Sequence, residues 1–287
     1  MATGNVTILA AVEVLIGAAV VCALLAIGAG LWAAVARRQW APLPGTHAHN
    51  DYHQTRPLQD ALRYGYVSVE ADVWAVDGAL LVGHDRADLR LSLTLRSLYL
   101  EPLARQVALL GAVYPGRPDP FQLLVEVKSD AEETYPLLDA ELAGYQDILT
   151  RYERELIVPG SVSVIISGGC PRDVLAAQPV RYAACDGSLG DVGSGVPASL
   201  VPLCSDKLAW RFTWRGRGPM PAGERAKLHR LVAQAHAEGR RVRFWGVPTR
   251  PRRVRLAVWQ ELRAAGVDYL GADRLRPLRS FLHRRPR

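Results

Sequence analysis

The stretch VSVEADVW, Val67–Trp74, decides the fold class. Val67, Val69, Ala71 and Val73 alternate with Ser68, Glu70, Asp72 and Trp74, the period-two pattern of a β-strand. Glu70 and Asp72 stand two residues apart, so both carboxylates leave the same face of that strand. Upstream, Gly45–Asn50 reads as a first strand, and PLQDALRY, Pro57–Tyr64, as a helix opened by proline and stopped by Gly65. Downstream, Asp77 and Gly78 signal a tight turn into another strand, ALLVGHD, Ala79–Asp85. Leu93–Leu110 reads as a helix interrupted at Pro102, FQLLVEVKSD (Phe121–Asp130) as a strand, and Glu132–Leu156 as mainly helical. The same rhythm continues through SVSVIISGG (Ser161–Gly169), a short helix after Pro171, Val180–Cys185, and a Gly/Ser/Asp loop over Asp186–Gly195. It closes with a helix over Pro221–Glu238, the strand RVRFWGV (Arg241–Val247), a helix over Arg253–Ala265, and VDYLGAD (Val267–Asp273). Strand followed by helix, about eight times with no second core-sized unit, predicts a single α/β domain, a (β/α)8 TIM barrel. An open doubly wound sheet is the alternative, but no glycine-rich phosphate loop follows the first strand.

Before the barrel, Val14–Ala36 is an uncharged run of 23 residues, long enough to cross a bilayer core as a helix. No lysine or arginine precedes it and it exceeds the usual signal-peptide core, which favours a retained anchor over a cleaved signal. The predicted organisation is an anchor or signal segment over 1–36, a linker over 37–42 and the barrel over 43–287. Arg37 and Arg38 follow the span, and the positive-inside bias then puts the barrel in the cytoplasm. A barrel exported and tethered to the outer leaflet is the other arrangement.

All 35 basic residues lie from Arg37 onward, against 27 acidic ones there. The positives are mostly arginines dispersed over helices and loops, with one dense group in the tail His283–Arg287, so a nucleic-acid interface is not expected. Cys22 lies in the apolar segment, which leaves Cys170, Cys185 and Cys204 for the barrel. Three cysteines without metal-knuckle spacing in a domain this large predict no disulfide framework.

Polar residues gather at the carboxyl ends of the strands, where barrels place their active sites. Glu70 and Asp72 share a face, Glu126 and Lys128 repeat that geometry, His84 and Asp85 end ALLVGHD, and His49 and Asn50 end the first strand. Three carboxylates in one barrel mouth repel one another unless a cation sits among them. An oxygen-only donor set suits magnesium or calcium better than zinc. A histidine on either side suits proton removal from a nucleophile and proton delivery to a leaving group.

HAHNDY, PLQDALRYG, SVEADVW, LLVGHD, LLVEVKSD, WRFTWRGRG, RFWGVP and GVDYLGADRL, in that order, resemble the phospholipase C-like phosphodiesterase superfamily. That superfamily includes the glycerophosphodiester phosphodiesterases and phosphatidylinositol-specific phospholipases C. Among its branches the chain is most similar to the one named for a fungal altered-inheritance-of-mitochondria protein, over about Leu43–Leu282. The resemblance implies His49 and His84 as catalytic histidines, Glu70, Asp72 and Glu126 as metal ligands for Mg2+ or Ca2+, and Lys128 as a phosphate contact. Many glycerophosphodiesterases carry arginine where this chain has Asn50, so phosphate binding would lean on the metal, on Lys128, and on Arg211 or Arg215. His47 shares the strand parity of His49 and is read as its supporting neighbour one step deeper. His53 is read as solvated. Trp214 and Trp245 are candidates to line the mouth against substrate. The implied activity is hydrolysis of a phosphoric diester, a glycerophosphodiester-like molecule or a phospholipid headgroup, by histidine acid/base catalysis next to a membrane. The rival is an inactive membrane-tethered barrel that binds a phospho-ligand or a protein.

Overall fold

The computed structural model describes residues 41–154 and 156–283. The expected membrane segment Val14–Ala36 lies outside them, and among the described residues no helix is long and apolar enough to cross a membrane. In chain order the strands are β1 (Thr46–Ala48), β2 (Ser68–Val76), β3 (Ala79–Val82), β4 (Phe121–Val127), β5 (Arg151–Glu153), β6 (Leu156–Val158), β7 (Val162–Gly168), β8 (Ala183–Gly187), β9 (Leu203–Lys207), β10 (Arg241–Trp245) and β11 (Tyr269–Ala272). Eight of them close into a parallel barrel in the order β1, β2, β4, β7, β8, β9, β10, β11. Thr46, His47 and Ala48 pair with Leu270, Gly271 and Ala272, and Ala48 with Val69, which shuts the cylinder.

Alternation in β2 separates two environments. Val69, Ala71 and Val73 are fully buried toward the surrounding helices, while Ser68, Glu70 and Asp72 are buried toward the barrel axis. The helices seal the outer wall with Leu62, Leu103, Leu138, Leu142, Leu228, Val258 and Leu278, all nearly or fully removed from water. Each such side chain contributes about 1.5–3 kcal/mol by leaving water. Asp130 starts the helix Ala131–Ala143 by accepting from the Glu132 and Glu133 amides at 2.9 and 3.1 Å, satisfying donors that the first turn leaves free.

Eight repeats were expected and eight barrel strands form, but not from the same segments. Ala79–Asp85 is no barrel strand: Ala79–Val82 turns back on β2 as an antiparallel hairpin arm. Its place is taken by β9, Leu203–Lys207, which is too short, with the helix Leu208–Arg211 following at once, to announce itself by pattern. Glu132–Leu156 is helical only to Ala143. Beyond it, β5 and β6 form a small antiparallel hairpin that lays Tyr152 against Ser163 and Arg181 near the amino-terminal ends of β7 and β8. Pro102 does not break its helix: a π-helical segment, Arg96–Leu100, passes directly into the α-helix Glu101–Leu110, and the proline, which has no N–H to donate, sits where one ladder gives way to the other. No disulfide framework was expected, yet one disulfide forms. Cys170, just after β7, is bonded to Cys185 in β8, with Cα atoms 6.0 Å apart, and Cys204 stays free and buried. Two neighbouring parallel strands bring together residues that their spacing of 15 in the sequence did not mark as partners.

Candidate active site

The site is built in layers up the barrel axis. Deepest is His47 in β1, fully buried, with Nδ1 2.8 Å from Ser68 Oγ and Nε2 2.8 Å from Glu70 Oε2. Burial, reinforced by the charge of Arg243, lowers His47 to about 4, so the ring is neutral near pH 7. A neutral imidazole carries one proton. Nε2–H therefore donates to the carboxylate, and Nδ1 accepts from the Ser68 hydroxyl, which itself accepts from Gln122 Nε2 at 2.8 Å. This chain of four residues fixes the orientation of Glu70.

Glu70 is nearly sealed from water, and its Oε2 also accepts from Arg243 Nη2 at 2.5 Å across the barrel. Burial works to raise this carboxyl, but the Arg243 charge and the His47 hydrogen bond outweigh it and hold it well below the usual carboxylate range. With Oε2 held by two donors, Oε1 faces His49 Nε2 at 3.6 Å.

His49 projects one layer above His47, at the carboxyl end of β1. Its Nδ1 lies 2.6 Å from Asp273 Oδ1, at the end of β11. Burial pulls the ring down, yet the Asp273 hydrogen bond and the Glu70 charge raise it above an ordinary histidine. The same bond, against burial, lowers Asp273. Asp273 therefore fixes Nδ1 as the donor and turns Nε2 toward Glu70 and the acidic cluster, the orientation a proton-transferring histidine needs.

The opposite flank comes from β2, β4 and the loop after β3. Asp72 stands beside Glu126 in the β2–β4 register. Asp72 Oδ2 is 3.0 Å from His84 Nδ1 and 3.1 Å from Lys128 Nζ, and Lys128 also donates to Glu126 Oε1 at 2.6 Å. Burial opposes the charge on Lys128, but the Glu126 hydrogen bond and the Asp72 charge raise it. Tyr52 places its hydroxyl 3.4 Å from His84 Nδ1. The end of β7 can approach Glu126 this closely only through Gly168, at φ +70°, where a Cβ would stand 2.6 Å from the Val127 carbonyl.

Glu70, Asp72 and Glu126 each offer one oxygen within 4.8 Å of the others. Three carboxylates here face two permanent cations, Arg243 and Lys128, and Asp72 Oδ1 is buried with no partner. An all-oxygen set with an unsatisfied buried acceptor and a residual negative charge fits a hard divalent cation.

The structure thus gathers His49, His84, Glu70, Asp72, Glu126 and Lys128 around one space, with His47 beneath. Asn50 follows His49 at the rim in the left-handed region, φ 49°. Trp245 ends β10 with Trp210 edge-on at 5.2 Å and Lys207 Nζ 5.2 Å from its ring centroid. Arg211 is committed to Asp206 Oδ2 at 2.7 Å rather than free for a phosphate. Trp214 does not line the mouth: it is 8% exposed and gives its indole N–H to the Gly218 carbonyl at 3.2 Å. Three contributors escaped the sequence reading. Arg243 and Asp273 were visible only as polar interruptions in RVRFWGV and YLGAD, and Tyr52 as part of HNDY. Asp51 of that motif is structural: it is buried, accepts from the Leu58 amide at 2.5 Å and Tyr99 Oη at 3.2 Å, and burial pushes it up to about 7.

Residues 36–184 match the AIM6-like phosphodiesterase domain. The chain belongs to that family. It is 32% identical to Altered inheritance of mitochondria protein 6 of Eremothecium gossypii over 274 residues, covering 83% of this chain and 69% of that protein. It is 30% identical over 257 residues to the homolog from Arthroderma benhamiae, covering 81% of each. With the protein of the same name in Saccharomyces cerevisiae it shares 30% over 276 residues. The family match runs from before β1 into the first two residues of β8 and thus includes both histidines and all three clustered acids, while Arg243 and Asp273 lie beyond it.

Proposed function

We propose that the chain is a metal-dependent phosphoric diester hydrolase acting on a glycerophosphodiester-like molecule or a phospholipid headgroup. The observation that carries this reading is the pair of imidazoles on opposite flanks of one acidic cluster, His49 toward Glu70 and His84 against Asp72. Glu70, Asp72 and Glu126 would hold Mg2+ or Ca2+, which when bound supplies charge neutralisation and polarisation of a phosphoryl oxygen. His49, its Nδ1 tied to Asp273, takes the proton from the attacking hydroxyl or water through Nε2. His84 gives a proton to the departing oxygen, with Asp72 fixing its Nδ1. Lys128 supplies a positive charge next to the phosphoryl oxygens, and Asn50 an amide at the rim. The nucleophile is a neighbouring substrate hydroxyl, through a cyclic phosphate, or water.

One observation favours a second reading. Lys128 Nζ already bridges Asp72 and Glu126, so the barrel could neutralise part of its acid cluster without an ion and serve as a non-catalytic phospho-ligand binder. A phosphodiester panel assayed with Mg2+, with Ca2+ and with chelator separates the two. Hydrolysis that needs a divalent ion and falls at least 100-fold in His49→Gln supports the enzyme. Binding of a phosphodiester without turnover of any panel member refutes it.

For location, the apolar segment Val14–Ala36 supports a membrane tether. The Cys170–Cys185 bond favours an oxidising compartment, against the side that Arg37 and Arg38 favour. Alkylation of the intact membrane with an impermeant thiol reagent, before and after reduction, decides between the two sides.

A further inference from the structure

Beside His49 and Asp273 the barrel mouth continues into a cavity of about 450 Å³ between the loops that follow β10 and β11. Its walls carry Arg250, Arg255 and Arg274, and its charged groups besides these are Arg243 and Asp273. Arg243 is committed to Glu70, and Asp273, the one acid lining the cavity among the described residues, is committed to His49. Three guanidiniums are therefore left without a carboxylate in a space that opens directly onto the candidate catalytic histidine.

Two further observations show a pocket short of acceptors. Trp259 is 1% exposed, lines the cavity, and its indole N–H has no hydrogen-bond partner. Arg255 stacks 5.0 Å from the Trp259 ring and donates from Nη1 to the Thr249 carbonyl at 2.9 Å, yet its buried Nε also has no acceptor. Leaving a buried donor unmade is costly, so two in one pocket are explained by an acceptor that arrives with a ligand. Burial and then the nearby charges of Arg252 and Arg274 lower Arg255, which is the direction an anion would reverse.

The backbone adds to this. The helices Arg252–Ala264 and Leu275–Leu282 both begin at the cavity, without a side-chain cap and without an acidic residue in the first turn. First turns normally attract Asp or Glu to answer the free N–H groups and the positive end of the dipole. Here arginines occupy those positions instead. β10 and β11 are the seventh and eighth barrel strands, and the loops after those strands, with a helix N-terminus, are where this fold often seats a phosphate.

We propose that this cavity is a second anion subsite, which holds a phosphate group of the same substrate whose scissile diester lies against His49. The proposal rests on the hydrolase reading above and narrows its substrate class to diesters that carry a second phosphate. Arg250, Arg255 and Arg274 neutralise that group, Trp259 donates through its indole N–H, and the Trp245 and Phe244 side of the cavity takes the intervening apolar atoms.

The test uses the full chain and inorganic phosphate as probe, with chelator present so that no divalent ion recruits phosphate to the acid cluster. Titration calorimetry should give phosphate binding that is at least tenfold weaker in Arg255→Gln/Arg274→Gln and about threefold or more weaker in Trp259→Phe. Arg230→Gln, a charge loss at an exposed helix position, should stay within twofold of wild type. In turnover, a diester bearing a second phosphate should be preferred at least tenfold in kcat/KM over the same diester without it, a preference lost in the double arginine variant. Absence of phosphate binding without metal, or binding that weakens equally in Arg230→Gln and in the double variant, overturns the subsite. Phosphate binding that depends on a divalent ion and Glu126 but not on the arginines also overturns it and leaves the hydrolase reading standing. Arginine-dependent phosphate binding in a protein that hydrolyses no diester sustains the subsite and removes the hydrolase reading.

Discussion

Arg243 is the residue whose loss the barrel should feel most. Its guanidinium meets Glu70 at 2.5 Å, with both side chains almost fully buried, so Arg243→Met replaces the charge by a similar volume and leaves an anion inside the barrel. Only the neutral His47 N–H then remains on that carboxylate. Breaking a buried pair by removing one partner costs about 3–5 kcal/mol. For a domain of this size each kcal/mol moves Tm by about 2–4 °C, so the melting point should fall on the order of 10 °C. The loss must also depend on pH. Glu70 in the native barrel titrates below its ordinary 4.5, so its stabilisation is present above that value and is lost as pH falls through the native one. Without Arg243 the native carboxyl titrates higher and sheds its charge earlier. The gap between wild type and variant should therefore be widest near pH 7.5 and narrow toward pH 4. Chemical unfolding at the two pH values, with chelator present, measures it. The companion variant Glu70→Gln/Arg243→Met should recover at least half of the loss, because the orphaned charge leaves with its partner. A variant within about 1 kcal/mol of wild type, or a gap that does not change with pH, would refute the account of a buried Glu70 anion held by Arg243.

Other outcomes follow from the same geometry. Asp273→Asn should lower the kinetic pKa assigned to His49, since the carboxylate that raises it is gone, and should reduce kcat about tenfold or more while thermal stability stays near wild type. An unmoved pH–rate profile counts against the Asp273–His49 pairing. His84→Gln should cost about 100-fold or more in turnover with divalent-ion affinity little changed, checked by calorimetry beside the rate assay. His47 titrates near 4 in the barrel against 6.5 unfolded, so its contribution is whole above 6.5 and is lost as pH falls from 6.5 toward 4. His47→Gln should flatten that part of the stability profile, and a wild-type slope in the variant would show that another group carries it. Cys170→Ser should lower stability by about 3 kcal/mol, as opening a loop of this length predicts, and reductant should do the same to wild type. Indifference of unfolding to reductant would exclude the bond.

The chemistry was more legible than the path of the chain. Glu70 and Asp72 declared themselves because strand parity alone puts them on one face, and Glu126 and Lys128 repeat the spacing. The β3 segment, an apolar run after a tight-turn signal, read as a strand and did form one. Nothing local separates a hairpin arm from a barrel stave, because that choice is made by which edge remains open on β2. β9 was hidden for the opposite reason, since five residues, the last three of them polar and followed at once by the helix Leu208–Arg211, are too few to show a period. Arg243 and Asp273 were unreadable as site residues because their meaning lies across the barrel, in contacts 173 and 224 residues away in the chain. Trp214 shows the reverse error. An aromatic beside arginines in WRFTWRGRG looks like a substrate platform, yet its N–H is taken by its own loop.

The proposed function stands on Glu70, Asp72 and Glu126 holding one cation between two proton-transferring imidazoles. Titration of the full chain with Mg2+ and with Ca2+, beside Asp72→Asn, tests it most directly. One ion should bind per chain, at least tenfold more weakly in Asp72→Asn, and diester hydrolysis should saturate with the same ion over the same concentration range. An ion that binds equally well to Asp72→Asn, or no ion bound at millimolar concentration, would contradict it.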